Sequence, residues 1–268
     1  MIPLLAENYN RVDGLFARRP PNSPMLYAVL EGNNPGQVWV DQMDAPTRCL
    51  VVANIGAVFI GGDWQPDIFA AELEVQRRER WLLISWPDEG ISGLTDASQL
   101  PEPTRLIPRL EFTQRSPQLA QQRGLSREVP IGCEIRRIDA ELLERCEWRD
   151  MMIGFCGSRE GFLANGLGFC LLRGDEILCE VYASSRGGGL WELGVVTHEQ
   201  ARGKGYAALT CAHLAEICEA MGVPTVWSCD TDNLGSAATA RKIGYTVERP
   251  YTLYLYGDDS PLLKAGAS

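Results

Sequence analysis

The sequence predicts a mixed α/β protein, with a mainly antiparallel sheet flanked by helices in the C-terminal half and a smaller α/β unit before it. Three observations carry that prediction. Residues 169–197 hold three strand-like runs, separated by the Gly174-Asp175 turn and a glycine-rich turn at 185–189, which is the pattern of an antiparallel meander. Residues 207–221 place Leu214, Ile217, Cys218 and Met221 at helical spacing, so one face of a helix is apolar. Residues 116–132 are rich in Gln, Arg, Pro and Ser with weak periodicity, the mark of a linker between a 1–115 unit and a 133–268 unit.

In the first unit, residues 37–40, 48–53 and 57–61 read as short strands between turn residues, 66–75 as a helix and 81–85 as a strand. No internal sequence repeat is visible. In the second unit a strand at 133–138 precedes helices at 140–147 and 159–164, the latter stopped by Gly166 and Gly168. The meander follows at 169–173, 177–184 and 190–197. The helix at 207–221 ends at Gly222 and Pro224, then come a strand at 223–230, a helix at 234–243 ended by Gly244, and a strand at 252–256.

Composition narrows the function classes. A chain of 268 residues with 45% hydrophobic content buries an adequate core without staples. The net charge of −10 and the lack of a Lys/Arg cluster argue against nucleic-acid binding. An acidic surface suits a cationic substrate such as a polyamine or amino-sugar, and is equally the ordinary means of solubility. The nine cysteines show no C-x-x-C spacing, so reduced thiols are expected rather than disulfides or a zinc ribbon, and no His/Cys cluster suggests a metal. Met1-Ile2-Pro3-Leu4-Leu5 lacks a basic region and a long apolar run, and nothing later approaches a membrane span. The expectation is a cytoplasmic protein without membrane contact.

The segment that carries chemistry joins the strand ending at Thr197 to the helix beginning near Ala207. Gly203 and Gly205 let the backbone turn its N–H groups toward one point at the positive end of the helix, where a pyrophosphate could sit. Arg202 and Lys204 add charge-assisted donors. A Walker loop is excluded by the missing G-x-x-x-x-G-K-[ST], and a dinucleotide fingerprint fails because a meander precedes the turn. Taken alone, two glycines could equally serve tight packing of strand on helix.

Arg202-x-x-Gly205-x-Ala207 resembles the coenzyme A motif [Q/R]-x-x-G-x-[G/A] of the GNAT superfamily, and the resemblance covers about residues 133–256. It extends to Asn233-x-x-Ser236 followed by Arg241-Lys242-Ile243-Gly244-Tyr245, similar to the helix that flanks the pantetheine arm. Within the superfamily, the Val195-Val196-Thr197-His198-Glu199 segment, Trp227-x-Cys229-Asp230 and the N-terminal companion resemble zwittermicin-type resistance acetyltransferases. The resemblance implies a GNAT fold and acetyl-CoA as donor. It implies that Val195, Val196 and Thr197 pair with pantetheine as an added strand, that N–H groups from Gly203 through Lys204, Gly205, Tyr206 and Ala207 to Ala208 hold the pyrophosphate, and that Asn233 and Ser236 touch the arm. Helix capping is the alternative role for the last two.

Amine acetylation needs a base, because a protonated ammonium has no lone pair. Glu192 lies among Leu190, Trp191 and Leu193 on the strand leading to the turn, where burial would raise its pKa; it is the expected base. Many superfamily members carry a tyrosine acid seven residues after the helix asparagine, and here that position is Ala240. The acid role passes to Tyr245, with Cys229, His198 or solvent as alternatives. The expected function is an acetyl-CoA-dependent N-acetyltransferase acting on a small-molecule amine, for resistance or detoxification. Acetylation of protein or charged tRNA, and a non-catalytic acyl-CoA sensor, are the competing readings. The N-terminal unit is expected to wall the acceptor pocket, with Trp39, Trp64 and Trp81 available, or to support a homodimer; residues 130–268 alone are expected to keep acetyl-CoA binding.

Overall fold

The computed structural model describes residues 1–16, 19–77, 81–86, 93–94 and 101–257, so the last eleven residues of the 133–268 unit lie outside the described residues. The first half forms β1 (Ile2–Pro3), a 3-10 segment (Ala6–Leu15), α1 (Ser23–Leu30), β2 (Gly36–Val40), β3 (Arg48–Ala53), β4 (Ala57–Gly62), α2 (Pro66–Arg77), β5 (Leu82–Trp86) and β6 (Arg105–Arg115). A short helix, α3 (Pro117–Gln122), capped by the Ser116 side chain, stands in the 116–132 stretch. The second half forms β7 (Cys133–Arg137), α4 (Ala140–Leu143), α5 (Arg149–Cys156), α6 (Arg159–Asn165), β8 (Gly168–Arg173), β9 (Glu176–Gly187), β10 (Leu190–Thr197), α7 (Tyr206–Ala220), β11 (Thr225–Asp230), α8 (Leu234–Lys242) and β12 (Tyr245–Tyr256).

Among the described residues these strands form one sheet in the order β1-β2-β3-β4-β5-β12-β6-β11-β10-β9-β8-β7. Read from the two edges inward, the order is symmetric: β1 matches β7, β2 matches β8, and so on to a central pair, β12 and β6, that have changed places. The pairing senses match as well. Each half is an antiparallel meander followed by one parallel step, β4 to β5 or β10 to β11. A parallel step needs a crossover, and α2 and α7 provide it. The chain is therefore a structural repeat whose halves exchange their last strands. The sequence shows no repeat because the same strand order can be built from different apolar residues.

Two prolines explain why this arrangement was hidden. Pro108 sits inside β6 and Pro250 inside β12, and proline within a run argues against a central strand because it offers no N–H to a ladder. The Pro108 carbonyl accepts from Thr231 N–H, so its missing N–H faces the β11 side, just past the last pair there, Asp230 with Arg109. Pro250 lies before Thr252, the first β12 residue paired with β5. Pro108 thus sits past the last β11 pair, and Pro250 outside the described pairs with β5.

The sheet thus crosses the 116–132 stretch instead of ending at it: β6 lies between β11 and β12, and β12 pairs with β5. The core crosses too. Leu26, Val29 and Phe59 from the first half pack in one cluster with Met152, Phe155 and Tyr182 from the second. Asn34 Nδ2 donates to the carbonyls of Phe155 and Ser184, and Gly188 N–H donates to Glu31. A second cluster under α7 and α8 buries Leu214, Cys218, Trp227 and Tyr245. All nine cysteines are free and seven are buried, as small hydrophobes would be.

Candidate active site

The pairing of β10 with β11 is brief. It runs from Trp191, Glu192 and Leu193 opposite Thr225, Val226 and Trp227, after which Gly194 through Thr197 pair only with β9. A β-bulge between Glu192 and Leu193 lies where the strands separate, and a bulge bends the strand that contains it. Gly194 lets the departing strand pass Tyr182, since a Cβ there would stand 2.7 Å from the ring. The fork opens into a cleft of about 570 Å³.

Val195, Val196 and Thr197 line the cleft with one backbone edge unpaired. An extended ligand can add to such an edge as a strand does. At its end, Gly203 and Gly205 take φ of 75° and 80°, and a Cβ built on either meets nothing within 4 Å, so open space lies beside both. Gly205 occupies the N-cap of α7, a fifteen-residue helix that no side chain caps. Its first-turn N–H groups and dipole suit an anion. Arg202, Tyr206, Ala207 and Ala208 line the same end; Arg202 Nε also donates to Thr197 O at 3.1 Å. Lys204 stands apart from the cleft lining, with Nζ donating to Gln200 O at 3.1 Å. Asn233 and Ser236 reach the cleft, and both have structural work: Asn233 Oδ1 caps α8 through Ser236 N–H, and Ser236 Oγ accepts from Trp227 Nε1 at 3.0 Å.

Glu192 lines the cleft and is 7% exposed. Burial pushes its pKa up to about 7; Arg109 and the Ser228 hydroxyl pull it down, and Glu111 pushes it further up. Its Oε2 has no hydrogen-bond partner among the described residues. Tyr245 requires a correction. It is 1% exposed, lies in the core under α7 and α8, and donates its hydroxyl to Thr225 Oγ1 at 2.7 Å. It is absent from the cleft lining, and burial holds its hydroxyl protonated far above the usual tyrosine range. Tyr245 is a structural residue. Cys229 does line the cleft, while His198 bonds Glu180 at 2.7 Å and its pKa is raised by that contact. The same buried Glu180 accepts from the N–H groups of Glu147 and Trp148, so it ties the Trp148 segment to the turn after β10.

The sequence did not reveal the other wall. Asn22, Met25, Phe59, Leu83, Ser85 and Arg109 of the first half line the cleft together with Trp148, Met151 and Phe155 of the second. Trp39, Trp64 and Trp81 are not among the lining residues, and Trp64 is fully buried against Phe69. In the first half, the connection from β4 to α2 is Asp63-Trp64-Gln65, where that buried indole stands instead of an open glycine cradle. No group of three or more His, Cys, Asp or Glu able to hold a metal occurs among the described residues. No helix among them is long and apolar enough to cross a membrane.

With the fork and the cradle in view, comparison decides the family. A family model described as GNAT acetyltransferase matches residues 14–254. The chain belongs to the GNAT acetyltransferase family. It is similar to an uncharacterized N-acetyltransferase, YdfB, of Bacillus subtilis (strain 168), at 25% identity over 240 residues, which are 87% of this chain and 90% of that one. Its fold resembles a GCN5-related N-acetyltransferase-like protein from Streptococcus suis 89/1591, with a TM-score of 0.71, 24% identity, and coverage of 94% of this chain and 99% of that one. A tandem GNAT protein from the clavulanic acid biosynthesis pathway gives a TM-score of 0.59 at 14% identity, covering 96% and 98% of the two chains. This GNAT chain is an N-acetyltransferase with a mixed, mainly antiparallel sheet flanked by helices.

Proposed function

We propose that this acetyltransferase uses acetyl-CoA to acetylate the amine of a small molecule, with Glu192 as general base. The observation that carries the reading is a single cleft joining an uncapped, glycine-led helix terminus to a buried carboxylate. The residues present fit the donor: open space beside Gly203 and Gly205 admits a diphosphate, and the free edge of Val195 to Thr197 admits an extended arm. When bound, acetyl-CoA would supply an acetyl thioester, whose C–S bond breaks as the C–N bond to the amine forms, the thiolate taking the second proton that the amine nitrogen loses and leaving as the thiol. The α7 N-terminus would hold the phosphates, and the β10 edge would orient the arm toward Glu192. Glu192 would take a proton from the ammonium, and a carboxyl tuned to about 7 is matched to that task near neutrality.

A small-molecule acceptor is favoured because apolar and aromatic side chains from both halves of the chain line the cleft. Modification of an amine-bearing antibiotic or toxic metabolite, in the manner of the zwittermicin-type group, is one use of such a site. We read the first half as a GNAT-like unit that lacks a cradle and serves as the acceptor wall. The test is free thiol release from acetyl-CoA with a panel of amines, alongside calorimetric titration of acetyl-CoA. Binding without thiol release for any amine would favour an acyl-CoA sensor, and absence of binding would end the reading.

A further inference from the structure

We propose that Asn22 binds the acceptor amine and that, together with Glu192, it selects a primary amine carried on an apolar body; the inference rests on the transferase reading above. Asn22 and Glu192 are each 7% exposed, and both line the cleft. Asn22 Oδ1 and Glu192 Oε2 are buried acceptors without a hydrogen-bond partner among the described residues, and both residues line this one cleft, as does Ser228, whose hydroxyl pulls the Glu192 pKa down. A buried acceptor without a donor is unfavourable unless a ligand supplies one. A primary ammonium supplies three N–H donors and no acceptor, which matches two orphan oxygen acceptors.

Asn22 is held where it stands. Its backbone adopts φ 59°, a left-handed conformation that asparagine tolerates, and its N–H donates to Glu111 Oε1 at 2.8 Å. The backbone turn accounts for a residue that tolerates positive φ, and glycine would serve it equally; it leaves the side-chain oxygen unexplained. Met25, Phe59, Leu83, Trp148, Met151 and Phe155 line the same cleft, and all but Leu83 belong to one apolar cluster. Arg109, the cation that pulls the Glu192 pKa down, is engaged by Asp230 and the Tyr251 hydroxyl. A substrate carboxylate would therefore meet apolar surface and the Glu192 charge. A monoamine with an alkyl or aryl body fits; the matching amino acid, a polyamine or an amino-sugar would bury a charge or hydroxyls without partners.

The test uses the full chain saturated with CoA, so that no turnover occurs, and measures binding of 2-phenylethylamine, phenylalanine, spermidine and glucosamine by calorimetry, followed by acetylation rates for the same four. The variants are Asn22→Gly, which suits the left-handed backbone, and Asn22→Asp, which keeps the oxygen. We expect 2-phenylethylamine to bind and react best. Asn22→Gly should weaken its binding about tenfold or more, the usual consequence of losing a hydrogen bond to a charged group, with unchanged acetyl-CoA affinity and an unchanged melting profile. Asn22→Asp should retain amine binding. Equal 2-phenylethylamine affinity in Asn22→Gly and the wild type, or a preference for any of the other three amines, overturns this inference while acetyl-CoA binding leaves the transferase reading intact. Failure of the wild type to bind acetyl-CoA overturns both.

Discussion

Glu192 on β10 pairs in register with Val226 on β11, and the two strands diverge immediately after the next pair, Leu193 with Trp227. The expected base thus stands in the crotch of the fork, buried by the paired segment yet facing the space that opens beyond it. Its raised pKa follows from that position, because burial penalises the carboxylate and Arg109 offsets only a fraction of the penalty.

Glu192→Gln should lower turnover at least about a hundredfold, the usual scale for a lost general base, with acetyl-CoA affinity unchanged. The wild-type rate should rise with pH through about 7, as the base ionises, and the variant should lose that inflection. Stability responds with a definite sign. The folded value of about 7 lies above the ordinary 4.5, so the folded state binds the proton more tightly, and the wild type loses stability as pH rises from 4.5 to 7. The loss is on the order of 3 kcal/mol. Urea melts at pH 5 and pH 8 should show Glu192→Gln gaining on the wild type at the higher pH; a constant difference would mean that Glu192 is not buried and charged.

Gly205→Val should weaken acetyl-CoA binding about tenfold or more, since φ of 80° is a left-handed conformation that a β-branched residue does not tolerate without strain. The space beside it is open, so the variant should fold. Calorimetric titration reads the change, and unchanged affinity would remove the cradle from the site.

Tyr245→Phe should behave as a core mutation. Removing its bond to Thr225 Oγ1 should lower stability by about 1 kcal/mol with turnover within about twofold of the wild type, because the hydroxyl lies outside the cleft lining. A much larger drop in turnover in a folded variant would return Tyr245 to the chemistry.

Residues 130–268 expressed alone should fail to show a cooperative melt by circular dichroism. The fragment lacks β6, the strand between β11 and β12, and lacks the β5 partner of β12. It also loses Leu26, Val29 and Phe59 from the shared core. This reverses the expectation drawn from sequence, where the second half looked self-sufficient. A soluble fragment with a sharp transition and acetyl-CoA affinity would show that the exchanged strands are dispensable.

Local physics made the proposed cofactor end of the cleft legible. Glycines at 203 and 205 between a strand and an amphipathic helix state a turn, an N-terminus and an approach for a ligand within eleven residues, and Glu192 among apolar neighbours states a buried carboxyl. The meander from 168 to 197 was equally readable from its turns. What the sequence could not state was which distant strands meet. Pro108 and Pro250 concealed β6 and shortened β12, since whether a missing N–H is harmless depends on where a neighbouring strand ends. The bulge beside Glu192, the exclusion of Tyr245 from the cleft, and the arrival of Asn22 and Arg109 in the cleft that Trp148 also lines all depend on that strand exchange or on side-chain packing. The sequence by itself determined the chemistry that short-range spacing encodes. Tertiary structure decided the proposed acceptor site, because its lining joins residues as far apart as Asn22 and Glu192 that only the folded sheet brings into one cleft.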